Sequence, residues 1–158
     1  MGQATEIAIE RIADVMAALD ARGGGESLST LPDKLSILLV EDDEADAYLV
    51  HRALQNHPRV RNIVRAHDGV EALELLDDGA IKPDLAIIDL RMPRKDGFAL
   101  LREIDLRDDV DFPSIVLTSS RAGADAYRSR KRGASLFISK PNAADKFATV
   151  LENAIAAL

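Results

Sequence analysis

The sequence predicts an α/β fold: a parallel sheet of five strands with helices on both faces, preceded by one extra helix. Three observations lead there. Short apolar runs, "SILLV", "RNIVRA", "LAII", "SIVLT" and "SLFIS", recur along the chain with helical segments between them. Parallel neighbours need crossover connections, and those are right-handed. Runs such as "LAII" and "SIVL" are apolar without alternation, as strands covered on both faces are. Finally, 158 residues with 47% hydrophobic and 30% charged side chains suit one ordinary globular domain with a sizeable core.

The first segment, "TEIAIERIADVMAALDARGGG", reads as an amphipathic helix whose Ile9, Ile12, Met16 and Leu19 form a short coiled-coil-like seam. It stops at Gly23, Gly24 and Gly25, and "GGGESLSTLPDK" reads as a linker. Residues 1–34 are therefore set apart from a domain over 35–158. An isolated helix of this length is marginal in water, so its seam should pack on something, a second copy being the first expectation.

The domain then alternates. Strand "SILLV" leads to a helix over about Glu44 to Leu54, whose first turn is acidic, as the helix dipole favours. Strand "RNIVRA" is followed by Asp68 and Gly69, a turn before a helix over about Val70 to Leu76. The third strand ends at Asp89, and a helix runs from about Gly97 to Ile104. Strand "SIVLT", a helix through "ADAYRSRKR", strand "SLFIS" and a last helix from Ala143 onward complete the order.

Composition narrows the function. No cysteine is present, which excludes disulfides and thiolate metal sites. No apolar run approaches the roughly 20 residues that span a bilayer. The start "MGQATEIAIE" lacks the basic and apolar regions of a signal peptide, so a cytoplasmic protein without membrane attachment is expected. A formal net charge of -7 argues against DNA as a partner. His51, His57 and His67 are scattered without metal-ligand spacing.

The stretch "PDLAIIDLRMPRKDG" carries the chemistry: a buried strand that ends on a carboxylate, Asp89. Burying such a charge costs several kcal/mol unless a cation or hydrogen-bond donors hold it. In open parallel sheets ligands bind outside the carboxyl ends of the strands. There strand one offers "EDDEAD", strand four Thr118 followed by Ser119 and Ser120, and strand five Lys140 before Pro141. Glu41 and Asp42 brought beside Asp89 would repel it by about 3 kcal/mol per pair at roughly 5 Å and an effective dielectric near 20. An oxygen-only set of this kind suits a hard cation such as Mg²⁺, which binds through a few carboxylates, water and phosphate.

"LLVEDD", "IIDLRMPRKDG", "IVLTSS" and "FISKP", each ending a predicted strand, resemble the motifs of response-regulator receiver domains. The resemblance covers Leu35 to Leu158 and implies a flavodoxin-like doubly wound sheet in the order 2-1-3-4-5. It implies a single-domain response regulator of a two-component phosphorelay, with Asp89 taking a phosphoryl group from a histidine kinase's phosphohistidine. Asp42 and, through water, Glu41 would hold Mg²⁺ with Asp89 and the backbone carbonyl of Arg91. Lys140 would pair with one phosphoryl oxygen and Thr118 would hydrogen-bond another. Phe137 would turn inward when Thr118 moves. The resemblance also implies that Arg91 and Ser120, two residues beyond Asp89 and Thr118, set the lifetime of the acyl phosphate. Asp46, "PRKDG" and "LTSS" resemble a subset of receivers paired with phytochrome-type kinases.

The implied partner is a sensor histidine kinase or a phosphotransfer protein. Catalysis would be limited to the domain's own phosphorylation and dephosphorylation, so it would not count as an enzyme, and output would be protein contact or phosphate relay. "RSRKRG", Arg128 to Gly133, reads as a charged helix face that could also serve as a partner or self-contact, so a homodimer would form there or through the first helix. Two rivals share the architecture: a non-phosphorylated interaction scaffold and a flavodoxin-like cofactor-binding domain. The second would want a Ser/Thr/Gly-rich phosphate loop after strand one, where "EDDEAD" stands instead. A phosphatase with an aspartate nucleophile would want an acid two residues after it, where Arg91 stands.

Overall fold

The apolar runs of the sequence become the five strands of one parallel sheet. The computed structural model describes residues 31–158; the predicted first helix, with its seam from Ile9 to Leu19, lies outside the described residues. The elements are β1 (Leu35–Val40), α1 (Glu44–Leu54), β2 (Val60–Ala66), α2 (Gly69–Asp77), β3 (Leu85–Ile88), α3 (Gly97–Asp105), β4 (Ser114–Thr118), α4 (Gly123–Lys131), β5 (Leu136–Ser139) and α5 (Phe147–Ala156). The strand order is β2-β1-β3-β4-β5, as expected, and every pairing is parallel. No helix among the described residues is long and apolar enough to cross a membrane.

Burial explains the strand compositions. β3 and β4 lie inside the sheet, and every one of their residues is buried, which is why they read as unbroken apolar runs. β2 and β5 are edges with half-buried or exposed positions. Successive side chains of a strand point to opposite faces. Leu38 and Val40 join Ile88, Val116 and, from α3, Leu101 and Ile104 in one apolar cluster. Ile37 and Leu39 therefore face the other layer, where α1 and α5 pack together and bury Val50, Leu54, Leu151 and Ile155.

Three of the helices start at the carboxyl edge of the sheet with an aspartate cap. Asp43 accepts the amide of Asp46, Asp68 those of Val70 and Glu71, and Asp96 that of Ala99. Ala122, before α4, has no side chain to do this. The last helix begins later than the sequence suggests. No side chain caps Ala143, so residues Ala144–Lys146 tighten into a 3-10 turn, with the Lys146 amide on the Ala143 carbonyl, before α5 starts at Phe147.

The loop after β3 is tightly placed. The Gly97 amide bonds the Leu90 carbonyl at 3.0 Å, and the Gly69 amide bonds that of Lys95 at 3.1 Å. A Cβ at Gly97 would overlap the backbone carbonyl of Asp89, so only glycine lets α3 start this close to the strand's end. Arg94 adopts a left-handed φ of 59°. Its Nε donates to buried Asp68 at 2.6 Å, which fastens the strained residue to the cap of α2.

Candidate functional site

Four strand tips meet at the carboxyl edge. Glu41 and Asp42 follow β1, Asp89 follows β3, Thr118 ends β4 and Lys140 follows β5. Backbone ladders continue just past the strands: the Asp89 amide bonds the Val40 carbonyl at 3.0 Å, and the Lys140 amide bonds that of Thr118 at 2.7 Å. These bonds fix the tips before any side chain contributes. Glu41, Asp42 and Asp89 each offer a carboxylate oxygen, all within 4.8 Å of one another. Glu41, Asp89, Thr118 and Lys140 are buried, while Asp42 is exposed.

Asp89 is oriented by two neighbours. The Leu90 amide donates to its Oδ1 at 2.8 Å, and Lys140 Nζ stands 3.4 Å from Oδ2. The same ammonium donates to Glu41 Oε2 at 2.7 Å and to Asp46 Oδ2 at 2.8 Å. One lysine thus balances acids from both sides of the sheet edge. Burial works to lower the Lys140 pKa, but the bonds to Asp46 and Glu41 outweigh it and hold the group above its ordinary value. Glu41 moves up as well: burial above all, with the Asp89 charge beside it, raises it to about 7 against the downward pull of the Lys140 hydrogen bond. Burial is the main reason this acid is reluctant to ionise, and the excess of carboxylates over cations adds to it.

The acidic loop is braced from β2. Arg65 donates to the carbonyl of Glu41 at 2.9 Å, to that of Asp42 at 3.2 Å and to the Glu44 carboxylate at 2.8 Å. On the opposite side, Thr118 Oγ1 accepts the Ser120 amide at 3.4 Å, and the Ser120 carbonyl accepts Ser139 Oγ at 3.1 Å. The Arg91 side chain is largely exposed and reaches towards α4, 3.5 Å from Asp125. Phe137 is half-buried against the apolar cluster that includes Phe98 and Val116. From the basic stretch, Arg128 lies over the Phe98 ring at 4.0 Å.

The structure therefore brings Glu41, Asp42, Asp89 and Lys140 into one cluster, with Thr118 on the strand beside Lys140. Two participants do not stand out from sequence, Arg65 and Asp125, and a third, Asp46, is noted there only for the resemblance to one subset of receivers. Its direct bond to Lys140 is not foreseen. Arg65 is the last cation of β2, and its task depends on the strand register. Asp125 carries a weak signal, an acid in an otherwise basic helix.

Chemically, the donors fit a divalent cation: three carboxylates, two of them largely dry, with oxygen as the only ligand atom. Comparison with known proteins agrees with the geometry. A family model described as response regulator receiver domain matches residues 37–152. Response regulator Rcp1 of Synechocystis sp. is 32% identical over 110 residues, which are 66% of this chain and 75% of that protein. The crystal structure of the phosphorylated cyanobacterial phytochrome response regulator RcpA superposes with a TM-score of 0.72 at 30% identity, covering 77% of this chain and 91% of that one. The Mn²⁺-bound form of Rcp1 gives a TM-score of 0.68 at 30% identity, covering 75% and 90%. Other relatives are longer: the match spans 15% of the sensor histidine kinase CheAY of Helicobacter pylori and 30% of a protein-glutamate methylesterase/protein-glutamine glutaminase of Myxococcus xanthus.

Proposed function

The chain belongs to the response regulator receiver domain family, and from that premise we propose that Asp89 accepts a phosphoryl group from a histidine kinase and that the modified domain switches partners. Receiver domains work in two-component signalling, interact with histidine kinases and bind divalent metal. The observation that supports this reading best is the juxtaposition of Asp89 with Lys140 at 3.4 Å and with two further carboxylates within 4.8 Å.

The geometry suits the reaction. An Asp89 oxygen forms the new bond to phosphorus while the bond from phosphorus to the donor's imidazole nitrogen breaks, leaving imidazole and an acyl phosphate. Phosphoryl transfer asks a protein mainly for in-line positioning and for charge stabilisation on the equatorial oxygens. The Leu90 amide fixes the rotation of the Asp89 carboxylate through Oδ1, and the residue is almost wholly buried. Lys140 exchanges one of its carboxylate partners for a phosphoryl oxygen, and Thr118 donates its hydroxyl to another. Asp42, Asp89, the Arg91 carbonyl and, through water, Glu41 would hold Mg²⁺, which would neutralise charge on the phosphoryl group.

The added charge and acceptor oxygens then pull Thr118 and its loop, and Phe137 follows inward. The kinase we propose is of the phytochrome type, supported by the likeness to RcpA and Rcp1, with the encounter in the cytoplasm. The sequence divides at residue 34 into a segment over 1–34 and the receiver over 35–158, and we propose that self-association runs through the first segment or through Arg128 to Gly133. Incubation with acetyl phosphate and Mg²⁺ tests the reading by intact mass. Addition of one phosphoryl group, lost in Asp89→Asn, is expected; no addition, or addition that survives the substitution, contradicts it.

A further inference from the structure

The helix α4 is attached in an unusual way. Its buried residues are Asp125 and Ser129, both polar, and the residue before it, Ala122, gives no side-chain cap. Ser129 Oγ spends its hydrogen bond on the Asp125 carbonyl one turn earlier. Asp125 therefore carries the side-chain hydrogen bonds that tie this helix to the neighbouring loops. Its Oδ2 accepts the Ser120 hydroxyl at 2.5 Å and stands 3.5 Å from Arg91 Nη2, and its Oδ1 is 4.0 Å from Arg128 Nη1. Ser120 Oγ in turn accepts the Ala122 amide at 3.3 Å.

Arg91 and Ser120 belong to the two loops that flank Asp89 and Thr118, so one carboxylate holds both rims of the site. The Arg91 side chain lines an open cleft of about 440 Å³ together with Asp42, Leu90, Met92, Phe98 and Arg128. Asp42 is part of the carboxylate cluster that includes Asp89. Arg91 thus lines the same cleft as Asp42, a member of the cluster that holds Asp89, while its guanidinium rests on Asp125. A phosphoryl group offers more charge and more acceptor oxygens than a carboxylate does.

Resting on the phosphoacceptor reading, we propose that Asp125 is a positioning residue that competes with the phosphoryl group for the Arg91 side chain, and so sets how long the acyl phosphate survives. Loss of the phosphoryl group requires a water oxygen to bond to phosphorus as the bond to the Asp89 oxygen breaks, giving the free carboxylate and inorganic phosphate. A guanidinium laid over the phosphoryl oxygens obstructs that water. While Arg91 stays on Asp125 the path is open.

The test compares phosphoryl half-lives after loading with acetyl phosphate and Mg²⁺ and rapid desalting. Asp125→Asn keeps an acceptor for Ser120 but removes the charge that retains Arg91, so the half-life should lengthen at least threefold. In the Arg91→Ala background the same substitution should change nothing, an outcome that a loss of helix seating alone would not produce. A half-life within twofold of wild type, or an equal change with and without Arg91, overturns the proposal. Should Asp125→Asn fail to fold, Ser120→Ala replaces it with the opposite sign. It leaves Oδ2 to Arg91, the half-life should shorten in an Arg91-dependent way, and no change overturns the proposal. Wild-type protein that takes up no phosphoryl group overturns the phosphoacceptor reading itself, whereas normal loading with unchanged lifetimes overturns only the role of Asp125.

Discussion

Glu41 holds the least comfortable charge at the strand tips. With burial raising its pKa to about 7, it binds a proton in the folded state that it would not hold when unfolded over the interval from its ordinary 4.5 upward. Its contribution to stability is therefore complete below about 4.5 and lost as pH rises through about 7. The proposed role of holding Mg²⁺ through water would require Glu41 to give that proton up. Mg²⁺ affinity, measured by calorimetry, should fall about tenfold between roughly pH 8 and roughly pH 6, and Glu41→Gln should flatten this dependence. Lys140 is the counterpart. Removing it leaves Glu41, Asp46 and Asp89 uncompensated, so Lys140→Ala should lower stability by about 3 kcal/mol in chelator, with Mg²⁺ restoring more of it than it adds to wild type. Urea titrations with and without Mg²⁺ check this.

At the scale of elements, the aspartate caps and one glycine aim the helices at the sheet edge. Asp68 serves two α2 amides at 2.8 and 3.0 Å and also restrains Arg94, whose left-handed backbone sits in the loop after Asp89. Its carboxyl is held below the usual range: burial opposes this, and the Glu71 amide and the Arg94 guanidinium overcome it. Asp68→Ala should cost about 2 kcal/mol, more than the loss of the exposed Asp43 cap, as thermal melts would show. Gly97→Ala meets backbone rather than a flexible side chain at Asp89 and Leu90. It should cost about 3 kcal/mol or more and slow phosphoryl uptake, because relief of the overlap must move the peptide of Asp89, the proposed phosphoacceptor. A variant that melts and loads as wild type does would refute the close approach.

Across the whole molecule, what can be read from sequence follows from what is local. Continuous apolar runs name β3 and β4 because both of their faces are covered, and a carboxylate straight after such a run marks Asp89 as a strand tip. Glu41, Asp42, Thr118 and Lys140 follow by the same rule, each standing at or just past a strand's carboxyl end. The partners that escape notice are set by helix rotation and strand register, which no short window contains. Asp46 reaches Lys140 across 94 positions and Arg91 meets Asp125 across 34. The 3-10 start of the last helix escapes for a smaller reason, the missing cap at Ala143. At this scale too, deletion of residues 1–25 should reduce the mass measured by light scattering if the first helix joins two copies, and an unchanged mass removes that role. The central claim is narrower: Asp89 alone carries the phosphoryl group. Borohydride reduces an aspartyl phosphate to homoserine, so trapping the loaded protein and mapping its peptides by mass reports the site directly. Homoserine at position 89 and nowhere else is the expected result; homoserine at Asp42 or another acid, or none at all from protein that has gained a phosphoryl group, would contradict the account.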